Sequence, residues 1–272
     1  MMSKRSLIVE GLRKAQLAKL LSQGKRLDGR ELLSYRELKI ETNLISKAEG
    51  SAKVSLGNTQ AIVGVKVELD EPFSDTPDEG ILIVNTEILP LSSPYAEPGP
   101  PDEEAIELAR VVDRGIRASN MIDLKSLCLI SGKKVYTLYV DVSILNVDGN
   151  LFDAVSYGVV SSLLTTKIPK YQVKDGEILL TNEKFPLIYN TIPISVTFAK
   201  IDNTLILDPN QEEEALMEAR LTLVVDSEDN IVAGQKGGSG SFSYEEVLQA
   251  AEIARVKAKE IRARIKEVLG IG

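Results

Sequence analysis

The sequence predicts a mixed fold of helices and strands, α/β in the broad sense and α+β in the order of its elements. It is built from two halves in which several strands are followed by a long helix. Two observations indicate this class. Runs of alternating apolar and polar residues, separated by turn residues, come first in each half, and a segment with helical apolar spacing follows them. With 272 residues, 43% of them apolar, the chain has ample material for a core. We expect residues 1–24 to form an N-terminal helix and residues 25–272 to form a single domain.

The first half is predicted to begin with a helix and to continue with strands. Leucines recur at helical spacing over residues 6–23, and Gly24 follows them as a C-terminal cap. Asp28, Gly29 and Arg30 form a turn signature, and we expect the two charged side chains to hold that turn. Strands are expected at residues 36–42, at the two runs that flank Gly57 and Asn58 in a hairpin, and at residues 81–89.

The second half is predicted to repeat this order. Its strands are expected at residues 127–130, 134–147, 177–180, 192–200, 204–207, 219–226 and 231–235, with a helix at residues 151–167. The last helix begins at Ser243, because Glu246 three residues later completes a capping-box pattern, and it ends at Gly270.

A helix that follows a proline-rich loop carries the candidate functional residues. Pro100 and Pro101 cannot continue a preceding element and acidic residues come next, so this helix is expected to begin near Asp102. On a helical wheel one side is apolar and holds Ala105, Leu108, Ala109, Val112 and Ile116. The opposite side carries Arg110, Arg114 and Arg117.

The wheel alone leaves two interpretations of this arginine row open. Glu107 lies three residues before Arg110, and Asp113 lies four residues before Arg117. If both pairs form, the row is an ordinary salt-bridged surface. Arg114, however, has no acid three or four residues away and stands in repulsive spacing from Arg110, which favours an outside anion such as an RNA phosphate.

Charge and composition exclude several classes of function. The net charge of −8 and the pI near 4.9 argue against a protein that coats duplex DNA without specificity. Negative and positive side chains are nevertheless segregated along the sequence. Residues 67–109 hold twelve acids and no lysine or arginine, whereas residues 255–266 hold six basic residues and one acid. Histidine is absent, which removes the usual general base, Ser–His and Cys–His nucleophiles and most catalytic zinc sites.

The other candidate groups are interpreted as structural. Cys128 lies in an apolar run and is expected to be a buried thiol. The acids at Asp208 and residues 212–214 indicate a solvated helix start rather than a metal site. Residues 236–240 are expected to form a linker turn, and residues 255–266 a solvated surface. No membrane span or signal peptide is evident, so a cytoplasmic protein without a membrane partner is expected.

Six segments occur in a characteristic order along the chain. They are RLDGR at residues 26–30, GSA to GNT at residues 50–59, DTP at residues 75–77, PGPPDE at residues 98–103, RVVDR at residues 110–114 and KGGSG at residues 236–240. In this order and spacing they resemble the RNase PH family, and within it the archaeal exosome members that lack the catalytic site. The proline-rich segment that leads into the arginine helix is the most specific of them.

The resemblance implies an RNase PH-like fold with two β-then-α halves, mixed sheets and flanking helices. It also implies a non-catalytic subunit that alternates with a catalytic RNase PH-like subunit in a hexameric ring, which degrades RNA from the 3′ end. Inorganic phosphate would be the co-substrate at the partner's site, with no cofactor, and RNA-binding cap subunits would be further partners. Carried onto this chain, it assigns RNA phosphate contacts to Arg110 and Arg114, with Arg117 on the same face.

Two departures from the family pattern predict that the chain is not an enzyme by itself. Catalytic members hold phosphate with polar groups at the start of the central helix, where this chain has Leu151 and Phe152, and neither side chain can donate to an oxyanion. Those members also carry a general acid shortly before a proline. Here Asn190 and Thr191 precede Pro193, and neither is a useful proton donor.

Two alternative functions stay open on the sequence. The chain could be a pure ring scaffold that makes no contact with RNA. It could also be an independently active phosphorolytic exoribonuclease that uses another carboxylate, such as Asp148 or Asp153.

Overall fold

The computed structural model describes residues 13, 15–92, 99–174 and 177–271. The first part contains a helical segment at residues 15–22 (α1), strands β1 (Leu38–Thr42), β2 (Gly50–Leu56), β3 (Thr59–Asp70) and β4 (Ile81–Ile88), and helix α2 (Glu103–Ala118). A 3-10 turn (Leu124–Leu127), β5 (Cys128–Ile130), β6 (Lys134–Asn146) and helix α3 (Leu151–Thr165) follow. The remaining elements are β7 (Lys167–Lys174), β8 (Glu177–Pro186), β9 (Ile194–Ile201), β10 (Thr204–Leu207), α4 (Gln211–Leu216), β11 (Ala219–Val225), β12 (Ile231–Gly237) and α5 (Tyr244–Leu269).

The strands form a six-stranded sheet, a four-stranded sheet and a separate hairpin. In the first sheet the order is β1-β2-β3-β6-β4, with β5 paired to β6. The second sheet has the order β10-β9-β11-β12, and β7 pairs with β8 alone. The mixed α/β architecture with flanking helices is therefore confirmed. The boundary between the halves is not where the strand order suggested, because β5 and β6 belong to the first sheet.

Helix α2 is the crossover connection between two parallel strands. β4 and β6 run parallel, with Val84 opposite Val140, and parallel neighbours need a long connection that usually contains a helix. The side chain of Asp102 caps α2 by accepting a hydrogen bond from the Ala105 N–H at 2.8 Å. Gly115 lets the helix approach the second sheet, since an added Cβ there would lie 3.3 Å from Val224 of β11.

Helix α3 is the buried centre of the fold. Residues 151–163 are all buried, so the helix lacks the polar face of a surface helix. It packs on β2 and β3 of the first sheet and on β9 of the second. Gly158 makes this approach possible, because a Cβ at that position would stand 2.8 Å from Val63 of β3. One large hydrophobic cluster runs through both sheets and α3.

Most element bounds fall close to the predicted ones, and the region that follows α3 differs. α3 ends at Thr165 rather than at residue 167, and the strand β7 that follows it was not predicted. Pro169 explains the early end, since the residue before a proline avoids the helical conformation. The predicted N-terminal helix lies largely outside the described residues, and residues 15–22 are helical as expected.

The last helix begins and ends as predicted. Ser243 and Glu246 form the capping box, and Gly270 closes the helix in the left-handed conformation at φ +65°. The basic run on α5 is only partly a solvated surface, because Arg262 is 7% exposed and donates to the backbone oxygens of Ile192 and Val225. Within the described parts of the chain, no helix has the length and apolar character needed to cross a membrane.

Candidate functional site

The arginine face of α2, defined as Arg110, Arg114 and Arg117, lies on the outside of the helix as predicted. All three side chains are exposed. The opposite face is buried and comprises Ala105, Leu108, Val111, Val112, Gly115 and Ile116, while Ala109 is only half-buried. The helix therefore presents its arginines away from the core.

Glu107 does not pair with Arg110, although their spacing allows it. Its Oε1 atom instead accepts hydrogen bonds from Arg220 Nη2 at 2.8 Å and from Gln235 Nε2 at 3.1 Å. Over the described residues, Arg110 makes no hydrogen bond or ion pair. One of the two pairs that would have made the arginine face an ordinary solvated surface is thus absent.

Arg114 and Arg117 have partners of different charge. Arg114 Nη2 donates to the amide oxygen of Gln235 at 2.7 Å, and this acceptor is neutral. Arg117 Nε donates to both carboxylate oxygens of Asp113 at 2.8 and 3.0 Å, and its Nη2 donates to the Leu82 carbonyl oxygen at 2.5 Å. Arg117 is therefore neutralised locally, whereas Arg110 and Arg114 form no ion pair with a carboxylate of the described residues.

The N-terminus of α3, where the resemblance places a phosphate site in catalytic members, is filled by side chains of this chain. The Asn150 N–H donates to Glu214 Oε1 at 2.9 Å, so a carboxylate occupies the position that an anion would take. Leu151 and Phe152 are buried in the core and offer no donor side chain. Gly149, at φ +78°, allows this contact because a Cβ there would stand 2.5 Å from the backbone of Asn210.

Asp153 is buried below this point and accepts hydrogen bonds from several donors. Its oxygens accept from Tyr35 Oη at 2.9 Å, Asn150 Nδ2 at 2.9 Å and Thr197 Oγ1 at 2.7 Å. Burial raises the pKa of Asp153 to about 7 in spite of these donors. Burial also raises the pKa of Glu214 to about 7, opposed by the Asn150 N–H and by the positive charge of Arg220.

The acidic run at the start of α4 is only partly solvated, so the prediction is wrong for some of its members. Glu213 is fully buried and forms an ion pair with Arg26, while Glu214 is half-buried. Asp208 is buried as well and accepts from Arg30 Nη1 at 3.0 Å and from Arg36 Nη2 at 2.8 Å. These carboxylates are held by arginines from the segment before β1. No group of three or more potential ligands within the described residues is arranged to hold a metal ion.

The remaining candidates are resolved as structural features. Arg30 Nε donates to Asp28 at 2.7 Å, so these residues hold their turn as predicted. Of the predicted linker turn at residues 236–240, Lys236 and Gly237 are instead the last two residues of β12. Cys128 is a free thiol that is half-buried, not fully buried.

Comparison with known proteins identifies the family. The chain matches the RNase PH family, described as the 3′ exoribonuclease family, over residues 34–169 for domain 1 and residues 191–257 for domain 2. The chain belongs to this family. It is 48% identical to "Exosome complex component Rrp42" of Thermococcus kodakarensis, with 97% of each chain covered, and 49% identical to the protein of the same name from Methanothermobacter thermautotrophicus, with 96% of each covered.

A solved structure supports the same family assignment. The match is to a chain described as "archaeoglobus fulgidus exosome with RNA bound to the active site", with a TM-score of 0.88, 40% identity, and coverage of 95% of this chain and 100% of that chain. Within the 3′ exoribonuclease family, the fold of this chain is thus shared with members of known structure.

Residues 190 and 191, where the resemblance places the general acid of catalytic members, have structural roles. Asn190 Nδ2 donates to the Asn120 carbonyl oxygen at 3.2 Å, and Thr191 Oγ1 accepts from the Ser227 N–H at 2.9 Å. Both side chains hold loops in place, and neither is an acid. The sequence did not point to Arg220 or Gln235, and it assigned Glu214 to a solvated helix start. The fold brings all three to α2 and α3 from distant parts of the chain.

Proposed function

We propose that this chain is a ring subunit of an archaeal exosome that has no catalytic site of its own and completes the site of a catalytic RNase PH-like partner. Proteins named as exosome components at about half identity over nearly the full chain support the assembly. The partner would degrade RNA from the 3′ end with inorganic phosphate as co-substrate and without a cofactor. RNA-binding cap subunits and a cytoplasmic, hexameric ring belong to the same proposal.

The contact between Asn150 and Glu214 is the observation that carries the non-catalytic assignment. A phosphate at the N-terminus of α3 would need the Asn150 N–H that the Glu214 carboxylate already engages at 2.9 Å. No serine, threonine or arginine stands at Leu151 or Phe152 to compensate. With no carboxylic acid at Asn190 or Thr191, the leaving oxygen would also lack a proton donor.

The arginine face of α2 supports the second part of the proposal, contact with RNA phosphates. Arg110 has no partner among the described residues and Arg114 has only a neutral one. Arg117 belongs to the same face and contributes less, because Asp113 already neutralises it. No aromatic side chain lies on α2, so the contact would involve the RNA backbone and would not depend on base sequence.

Reconstitution tests the division of labour. The purified chain is mixed with the catalytic RNase PH-like subunit of the same organism, the mass of the complex is measured, and shortening of a 3′-labelled RNA is followed with and without phosphate. We expect no shortening by the chain alone and phosphate-dependent shortening by the complex. Phosphorolysis by the chain alone would overturn the assignment and favour an independent nuclease. Loss of that activity on Asp148→Asn or Asp153→Asn would then identify the carboxylate responsible.

Substitution of the arginine face separates RNA contact from a pure scaffold. The double variant Arg110→Glu/Arg114→Glu should assemble normally, bind RNA more weakly and lose about two units of slope in a plot of log affinity against log salt concentration. Arg264→Glu on α5 is a matched control, because Arg264 is also an exposed helical arginine. Normal RNA affinity of the double variant would favour the scaffold.

A further inference from the structure

We infer that Gln235 is a positioning residue for Arg114, which it holds in place without neutralising its charge. The inference rests on the proposed function, in which Arg114 meets an RNA phosphate. Gln235 lies on β12, beside α2, and its side-chain amide bridges two residues of that helix. Its Oε1 accepts from Arg114 Nη2 at 2.7 Å, and its Nε2 donates to Glu107 Oε1 at 3.1 Å.

The orientation of the Gln235 amide is determined by its two neighbours. A guanidinium can only donate hydrogen bonds, and an ionised carboxylate can only accept them. The amide oxygen must therefore face Arg114 and the amide nitrogen must face Glu107. A rotation of the amide by 180° would lose both bonds and place like partial charges together, so Gln235 presents a fixed acceptor to the arginine.

Glu107 is itself held from the other side. Its carboxylate accepts from Arg220 Nη2 at 2.8 Å, and the Arg220 guanidinium lies over the ring of Phe152, with its central carbon 3.9 Å from the ring centroid. Phe152 is buried at the start of α3. A series of contacts thus connects the closed end of α3 to Arg114 on the surface, and each side chain in it limits the freedom of the next.

Arg117, on the same face of α2, shows the effect of a charged acceptor on an arginine. Asp113 forms an ion pair with Arg117, so an incoming phosphate would have to compete with a carboxylate for that guanidinium. Gln235 offers Arg114 an acceptor of similar geometry and no net charge. Arg114 therefore keeps its attraction for an anion and loses less conformational freedom when it binds one.

Two substitutions at Gln235 distinguish the effect of its hydrogen bonds from the effect of its lack of charge. Gln235→Glu supplies a carboxylate that pairs with Arg114, whereas Gln235→Met keeps the length of the side chain and removes both hydrogen bonds. Each variant is assembled with the catalytic subunit, and affinity for a single-stranded RNA is measured without phosphate at several salt concentrations. We expect Gln235→Glu to weaken binding about tenfold at low salt and to lower the salt slope by about one. Gln235→Met should weaken binding about threefold and leave the slope unchanged.

A new carboxylate near RNA would also repel it directly, so the measurement is repeated in an Arg114→Gln background. If Gln235→Glu acts by neutralising Arg114, its effect there should fall below about twofold. Gln172→Glu introduces the same charge on the separate β7–β8 hairpin, where Gln172 is exposed, and should leave RNA affinity unchanged.

The outcomes distinguish failure of this inference from failure of the proposed function. If Arg114→Gln alone leaves RNA affinity and salt slope unchanged, the proposed RNA contact of Arg114 is wrong. If Arg114→Gln weakens binding while both Gln235 variants behave like the unmodified ring, the contact stands and the role of Gln235 is wrong. An equal loss from Gln235→Glu in the presence and absence of Arg114 would also overturn that role.

Discussion

The backbone N–H of Asn150 donates to the carboxylate of Glu214 at 2.9 Å, across 64 residues of chain. A helix N-terminus attracts anions, and in this protein a carboxyl group of the chain itself takes that position. Leu151 and Phe152 follow with no donor side chain, and a polar residue substituted at either position would leave Glu214 in place.

We predict that Glu214 makes the stability of the chain decrease as the pH rises. Its pKa is raised by burial to about 7, so between its unfolded pKa near 4.5 and pH 7 the folded state retains a proton that the unfolded state has lost. Glu214→Gln removes this titration and keeps an oxygen for the Asn150 N–H. The free energy of unfolding of the native chain relative to Glu214→Gln should fall by roughly 1–2 kcal/mol from pH 5 to pH 8, after a discount for the partial exposure of Glu214.

Guanidinium chloride unfolding at the two pH values measures this difference. Asp153 contributes in the same direction to both proteins and cancels. Glu212→Gln, on the same helix and exposed, controls for the loss of a surface carboxylate. An equal difference at pH 5 and pH 8 would show that Glu214 titrates normally.

We predict that Gly149→Ala destabilises the protein by about 2–4 kcal/mol. Two effects combine: a side chain at φ +78° is strained, and the new Cβ would stand 2.5 Å from the Asn210 backbone. Thermal and chemical unfolding give the loss. Gly132→Ala is the control, since Gly132 also has positive φ, at +70°, but has no atom within 4 Å of the added Cβ. Similar losses in the two variants would mean that strain alone acts and that the close approach of Gly149 to the Asn210 backbone is unimportant.

Arg110 and Arg117 should differ in their effect on RNA binding although they share a face of α2. Arg110→Ala in the assembled ring is expected to weaken RNA binding and to lower the salt slope by about one, because an unpaired guanidinium is lost. Arg117→Ala should change affinity by less than about twofold, because Asp113 is released at the same time and the net charge of the pair was already near zero. Equal changes in slope would contradict the distinction.

The buried pair of Arg26 and Glu213 gives a prediction in which the second substitution compensates for the first. Arg26→Met leaves the Glu213 carboxylate buried without its cation, at a cost of about 3–5 kcal/mol. Glu213→Gln alone should also be destabilising, since it leaves Arg26 unpaired. In the Arg26→Met background, however, Glu213→Gln should restore stability because it removes the uncompensated charge. Chemical unfolding of the four proteins forms the double-mutant cycle, and simple additivity would refute the coupling.

The parts of the fold that depend on neighbouring residues could be predicted from the sequence. The start of α2 near Asp102, the Ser243–Glu246 capping box and the orientation of the arginine face all follow from spacings of a few residues, and the structure confirms them. Strand β7 was missed because three lysines and Pro169 interrupt its apolar residues, and proline is uncommon within strands.

The contacts that define the candidate site could not be predicted in the same way. Glu213 looked like a solvated acid, and its partner Arg26 lies 187 residues away. Gln235 meets Arg114 across 121 residues, and nothing in the local pattern of β12 distinguishes it from an ordinary surface glutamine. Whether an acid is buried, and how an amide is oriented, depends on how the two sheets pack together, which the local sequence does not show.

Helix α2 rests on β4 of the first sheet and on β12 of the second, with Gly115 close against Val224. The helix therefore connects the two sheets through its contacts with both. If one sheet slid relative to the other, Arg114 of α2 and Gln235 of β12 would separate. A change in the packing of either half would then leave the Arg114 side chain without the acceptor that orients it.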